Sequence, residues 1–287
     1  MYKNYVPVHS DFIIHWTGKD IDKELNWTSK HTSFTDPQTT DRYLQRLKHV
    51  LKYGLWMTNN STDVPVINQK KAIKIPFHSR TCFTELKLSK ARFHAAEYGR
   101  LGIGFKRFFL FNRLGAPMFY FIEHTPNWFL SPLLNEDKHD YYKCFLKGMT
   151  QKVEDTTIQY KFFDESEWRI IYSEEIRKRL SETGYNKRNN YFISYQDIKA
   201  QDFKDYCSSI NKSPDFLIPI NDRWFAMIIY PSIEVKVKAQ SDEEIRSLIN
   251  SIKNPYRNKN NRLVTNPASL ETHNYPIEID IDTCRNF

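Results

Sequence analysis

The stretch Asp164-Glu165-Ser166-Glu167-Trp168-Arg169-Ile170-Ile171 sets two glutamates, one residue apart, at the mouth of an apolar, strand-like run. Side chains at i and i+2 of an extended segment point to the same face. Glu165 and Glu167 are therefore expected side by side, with Trp168, Ile170 and Ile171 behind them and Arg169 on the glutamate side. A carboxylate held in this way can accept hydrogen bonds from a sugar diol, or stabilise positive charge developing on a ribose carbon.

Outward from that run, strands and helices are intermixed. Ile13-Ile14-His15-Trp16 reads as a first strand, followed by a long polar loop over residues 17–41. Tyr43, Leu44, Leu47, Val50 and Leu51 recur at helical spacing, with Thr40 or Asp41 as cap and Gly54 at the stop. Extended segments are expected at 55–57, 72–76 and 81–84, and a helix over 86–97. Strands follow at 101–105 and 117–122, a helix over 139–149, and strands at 162–163 and 168–172. Farther along, the pattern predicts helices at 174–180 and 197–210 and strands at 216–220 and 224–230. Val235-Lys-Val-Lys238 alternates as a solvent-facing strand, and Ser241-Asp-Glu-Glu244 is a capping box opening a helix. Residues from about 254 form a polar, irregular tail. Adjacent strands without regular crossover helices make this an α+β chain.

The 287 residues carry 20 Phe, 17 Tyr and 6 Trp, enough apolar mass for a packed core. No apolar run approaches the roughly 20 residues of a membrane span, and no membrane partner is expected. Cys82, Cys144, Cys207 and Cys284 are scattered without a Cys-x-x-Cys, and the N-terminal residues have no secretory apolar stretch. These features predict reduced thiols in a cytoplasmic protein, with no metal. The net charge of +8 is concentrated: residues 46–113 hold fourteen Lys/Arg against Asp63, Glu85 and Glu97, so the rest of the chain is slightly acidic. Such a field favours a polyanion, meaning nucleic acid, a nucleotide or an acidic protein. Phe77, Phe83, Phe93, Phe105, Phe108 and Phe109 interleave with those cations, a pattern that suits base stacking or a core.

Phosphate loops, dinucleotide fingerprints, zinc-protease helices and nucleophile elbows are all missing from the sequence. Gly102-Ile-Gly104 is too short for a dinucleotide loop and marks a bulge or a close backbone approach. Pro214-Asp215 followed by Glu234-Val235-Lys236 fits a loose metal-dependent nuclease pattern, with Asp215 and Glu234 on Mg²⁺ and Lys236 orienting water.

Five motifs in order, His15-Trp16-Thr17-Gly18, Leu47-x-x-Val50-Leu51-Lys52-Tyr53-Gly54-Leu55, Cys82-Phe83-Thr84-Glu85, Tyr98-Gly99-x-x-Gly102-Ile103-Gly104-Phe105 and Glu165-x-Glu167-Trp168-Arg169, resemble the bacterial abortive-infection AbiGi family, whose members are described as antitoxins. The same order resembles ADP-ribosyltransferases, including nucleic-acid-modifying toxins of phage defence. The resemblance implies a split β-sheet transferase-like core over residues 1–175, with peripheral helices and a C-terminal α/β extension over 176–287. It implies NAD as substrate. His15 would bond the ribose 2′-hydroxyl and Thr17 would seat the nicotinamide amide. Tyr98 would stack on the nicotinamide ring, Glu167 would be the catalytic carboxylate, and Glu165 its accessory acceptor. Arg169 would pair with the glutamates or with a phosphate, and the middle-strand contact stays open among Thr84, Ser89 and Tyr98. Where poly-ADP-ribosylating enzymes have Gly after the first-strand His, this chain has Trp16. The expected function is a phage-defence ADP-ribosyltransferase acting on RNA or single-stranded DNA. The alternatives are a non-catalytic antitoxin or toxin partner, and the nuclease.

Overall fold

The computed structural model describes residues 12–24, 37–59, 78–85, 88–121, 140–152, 159–161, 165–182, 191–220, 224–253 and 275–286. The strands, in chain order, are β1 (Phe12–Thr17), β2 (Leu55–Met57), β3 (Arg80–Thr84), β4 (Leu101–Lys106), β5 (Ala116–Pro117), β6 (Phe119–Phe121) and β7 (Leu146–Gly148). They continue with β8 (Thr150–Lys152), β9 (Gln159–Lys161), β10 (Glu167–Ile171), β11 (Ile193–Ser194), β12 (Phe216–Ile218), β13 (Phe225–Tyr230) and β14 (Ile277–Asp280). The helices are α1 (Lys19–Glu24), α2 (Pro37–Tyr53), α3 (Ala91–Tyr98), α4 (Phe108–Phe111), α5 (Glu174–Glu182), α6 (Gln201–Ser209), α7 (Ile233–Ser241) and α8 (Glu243–Lys253). The protein is α+β. Among the described residues, no helix is long and apolar enough to cross a membrane.

Two compact units divide the chain, Met1–Leu55 with Leu86–Phe109 and Pro219–Phe287, and Trp56–Glu85 with Leu110–Ile218. Both take chain from either side of residue 175.

In the first unit the strand order is β14-β13-β4-β1. β4 runs antiparallel to β1 and β13, while β14 lies parallel to β13. The glycines of β4 are there for room. A Cβ on Gly104 would stand 2.6 Å from the Met227 Cβ, and the β13 register slips between Phe225 and Met227 where the strands crowd. One sheet face packs Ile14, Trp16, Met227 and Ile229 against Ala91 and Ala95 of α3. Helix α2 begins at Pro37, three residues before the expected cap, because proline suits the first helical turn. It buries Tyr43, Leu44, Leu47, Val50 and Leu51, and stops at Gly54, whose φ is 112°.

Three expectations are corrected here. Val235–Lys238 is helical, within α7, and not a strand. The Ser232 hydroxyl accepts the Val235 N–H, and Val235 and Ala239, four apart, are the residues that become buried. The next helix is capped one residue later than expected, by Asp242, which accepts the Ile245 N–H at 3.0 Å. Finally, the tail contains a strand, β14, followed by a 3₁₀ turn over Thr283–Asn286, and Ile279, Ile281 and Cys284 join the sheet core. Residues 254–274 lie outside the described residues, as do the strands expected at 72–76 and 162–163.

In the second unit β10 pairs antiparallel with β3 and with β5. A second sheet has the order β11-β12-β2, and the pairs β6-β7 and β8-β9 complete the set. Tyr141, Cys144, Ile171, Ile176 and Leu180 form a core under α5. The helix expected over 139–149 is another correction, since Asp140–Phe145 is a 3₁₀ turn that leads into β7.

Candidate functional site

β10 begins at Glu167, not before it. Ser166 takes a left-handed φ of 45°, so Glu165 stands off the strand and simple alternation does not align the two carboxylates. A cation brings them together instead. The Lys147 ammonium of β7 donates to Glu165 Oε2 at 2.7 Å and to Glu167 Oε2 at 2.5 Å. Arg169 Nε donates to Glu167 Oε1 at 2.6 Å, as the sequence led us to expect, and its Nη1 donates to the Cys144 carbonyl at 2.6 Å. The Glu167 backbone is held as well, its N–H by the Tyr120 hydroxyl and its carbonyl by the Met118 N–H.

The two carboxylates and Arg169 are out of solvent, Glu165 3% exposed, Glu167 5% and Arg169 7%, while Lys147 and Tyr120 are half-buried. Burial alone would raise the Glu167 carboxyl, but Arg169 and then Lys147 outweigh it and hold the group at about 2. Arg169 is held above the ordinary guanidinium range by the same pairing, although burial works against it.

Register places Thr84 directly opposite Glu167 and Cys82 opposite Arg169. Alternation along β3 then puts Thr84, Cys82 and Arg80 on one face, with Glu167 and Arg169 beside them. Cys82 is solvent-accessible, yet surrounding protein, and next the Glu167 charge, push its thiol up to about 12. Burial also lowers the Arg80 guanidinium, and Arg169 adds to that.

The other site residues lie in the first unit. His15 is half-buried on β1, opposite Ile103. Thr17 ends β1, and its Oγ1 accepts from Arg46 Nη1 at 2.9 Å, while Arg46 Nη2 pairs with Asp20 at 2.6 Å. Tyr98 ends α3 and stacks on His94 with centroids 5.8 Å apart. The next residue, Gly99 (φ 108°), lies against the first strand's end: a Cβ there would be 2.5 Å from the Thr17 carbonyl oxygen. Thr17 and the Tyr98–Gly99 corner are thus neighbours. The expected set therefore forms two groups, Thr84, Glu165, Glu167 and Arg169 in one unit and His15, Thr17 and Tyr98 in the other. Of the three middle-strand candidates, only Thr84 lies on a strand; Ser89 is in a 3₁₀ turn and Tyr98 on a helix.

Lys147, Tyr120 and Cys82 escaped the sequence reading. Lys147 is a lone lysine between Leu146 and Gly148 in a three-residue strand, and nothing local distinguishes it. Cys82 was legible, since it lies two residues before Thr84 on a probable strand and so shares its face.

The nuclease pattern loses its geometric basis. Glu234 and Lys236 lie on α7, where residues two apart do not share a face. Asp215 accepts from the Ser79 hydroxyl at 2.5 Å. Among the described residues, no group of three His, Cys, Asp or Glu is arranged to hold a metal ion.

No protein family profile, no curated protein and no solved structure matches the chain.

Proposed function

We propose that the chain is an ADP-ribosyltransferase of a phage-defence system, with a split β-sheet transferase-like core, that moves ADP-ribose from NAD to a nucleic-acid acceptor. The observation that carries the reading is an ionised, buried Glu167 on β10 with Thr84 directly opposite and a second carboxylate, Glu165, drawn to the same lysine.

In the reaction the bond from C1′ of the nicotinamide ribose to the ring nitrogen breaks, and nicotinamide leaves with the electron pair. An acceptor nitrogen or oxygen supplies the pair for the new bond to C1′ and releases its proton to solvent. The protein's share is charge stabilisation and positioning. Glu167 carries the negative charge that the oxocarbenium-like ribose requires. Arg169 fixes its Oε1 while itself anchored on the Cys144 carbonyl, so the oxygen that can turn to a ribose hydroxyl is Oε2, now held by Lys147. Lys147 is then the group that substrate displaces.

The pairing itself favours a second reading. With one cation on each oxygen, Glu167 is neutralised in this state, as expected of a charge that serves structure in a non-catalytic antitoxin or binding partner.

The test is transfer from labelled NAD to RNA, single-stranded DNA, duplex DNA and cell lysate, with Glu167→Gln and Lys147→Met alongside and folding followed by circular dichroism. The transferase reading expects label on nucleic acid with wild-type protein, loss with folded Glu167→Gln, and retained or increased transfer with Lys147→Met. Folded wild-type protein that neither transfers label nor releases nicotinamide overturns it. Rescue of a co-expressed toxic protein would then establish the second reading.

A further inference from the structure

Glu165 and Glu167 meet at a corner whose backbone is pinned on both sides. The Ser166 carbonyl accepts the Glu85 N–H at 3.1 Å, and the Glu167 N–H is held on the Tyr120 hydroxyl at 2.8 Å. Lys147 arrives from a neighbouring sheet, in register on β7 with Tyr120 of β6. The carboxylates are thus carried by anchored backbone, while the ammonium rides on a flexible four-carbon stem. Of the three groups, the lysine is the one that can move.

Its two bonds differ in what their loss would cost. Glu167 has a second cation, Arg169 Nε at 2.6 Å on Oε1, and stays compensated when Oε2 gives up Lys147. Glu165 is 3% exposed and holds Lys147 at 2.7 Å. Withdrawing the ammonium to water would break that ion pair inside a dry site, which is costly.

We infer that Glu165 is a positioning residue that retains Lys147 when substrate takes its place on Glu167. The inference rests on the transferase reading above and gives Glu165 a role in it other than touching the substrate. In the free protein the ammonium bridges both carboxylates. A ribose hydroxyl that donates to Glu167 Oε2 replaces one of the lysine's bonds, and Lys147 swings onto Glu165. The carboxylate is opened without a cation leaving for water. When the Glu165 charge is removed, Lys147 settles on Glu167, and substrate competes with a tighter latch.

Two double-mutant cycles test this. The first follows NAD consumption by wild type, Glu165→Gln, Lys147→Met and the double variant. Glu165→Gln raises KM for NAD about ten-fold, the share of one charge-assisted hydrogen bond, with kcat nearly unchanged. With Lys147→Met already present, the same substitution leaves KM where it was. The double variant keeps the Glu167–Arg169 pair, so it stays measurable if Lys147→Met alone does not fold, and its KM should then be at or below that of wild type. An unchanged KM in Glu165→Gln overturns the inference. So does a fall in kcat that persists without the lysine, which marks Glu165 as a substrate contact.

The second cycle needs no NAD and follows melting temperature. Glu167→Gln imitates the state in which Glu167 has let go, and in that background Lys147→Met lowers the melting temperature because it breaks the pair with Glu165. No lowering overturns the retention. Wild type that consumes no NAD, with the second cycle as described, overturns the transferase and keeps the retention. NAD consumption with a neutral second cycle does the reverse.

Discussion

Asp22 and Glu167 are two nearly inaccessible carboxylates, 6% and 5% exposed, that respond to burial in opposite directions. Asp22 accepts the Tyr43 hydroxyl at 2.6 Å, but its cation, Arg100 Nε, stands 3.7 Å away. Burial prevails there and raises the Asp22 carboxyl despite the phenol and the arginine. Glu167 has a cation on each oxygen at 2.6 and 2.5 Å, and is driven down. Burial alone does not decide whether a carboxylate stays charged. The number of cations at hydrogen-bond distance does.

The sharpest way to break this comparison is Glu167→Gln. It leaves Arg169 without its carboxylate in a dry site, while Lys147 keeps Glu165, and should destabilise the protein by about 4 kcal/mol in urea unfolding at neutral pH. A loss under about 1 kcal/mol would mean that the pairing is not buried in solution.

Acid is the next test. The folded Glu167 carboxyl lies below its ordinary value of 4.5, so its contribution is present above that value and is lost as pH falls toward about 2. The wild type should forfeit roughly 3 kcal/mol across that window, and Glu167→Gln should show a correspondingly shallower acid limb. Equal limbs in the two proteins would contradict the assignment.

The smallest effect is expected at Asp22. Its folded value is raised, so the folded state holds the proton more tightly and the ionised group weakens the fold once pH exceeds that folded value. Asp22→Asn keeps an acceptor for Tyr43 and should change stability at pH 7 by less than about 1 kcal/mol. A melting temperature lowered as far as in Glu167→Gln would show that Arg100 pairs more closely than 3.7 Å in solution.

Much of this was readable from residues. The stripe Tyr43, Leu47, Val50, Leu51 described α2, and the apolar runs described β1, β4, β10 and β13, because period and burial agree there. Alternation likewise put Arg169 on the Glu167 side. Reading failed where a single hydroxyl outweighed a pattern: Val235-Lys-Val-Lys238 alternates like a strand, yet Ser232 caps it as a helix. It failed again at β14, a short apolar run behind a polar stretch, whose strand state comes from pairing with β13. Lys147 was invisible for a third reason. It meets its carboxylates only through the tertiary fold, 18 and 20 residues away in sequence.

The parallel pairing of β14 with β13 has a consequence for how the chain is made. The first unit uses residues from three separated stretches, and its early strand β1 waits for β4, then for β13 at 225–230 and β14 at 277–280. On the ribosome, Ile14 and Trp16 emerge long before Ile279 and Cys284, the residues that cover the same core. The sheet face therefore stays partly uncovered from the synthesis of Trp16 to that of Cys284, and such long-range closure is slow and prone to misassembly. Until β14 is made, that face lacks the cover that Ile279, Ile281 and Cys284 provide.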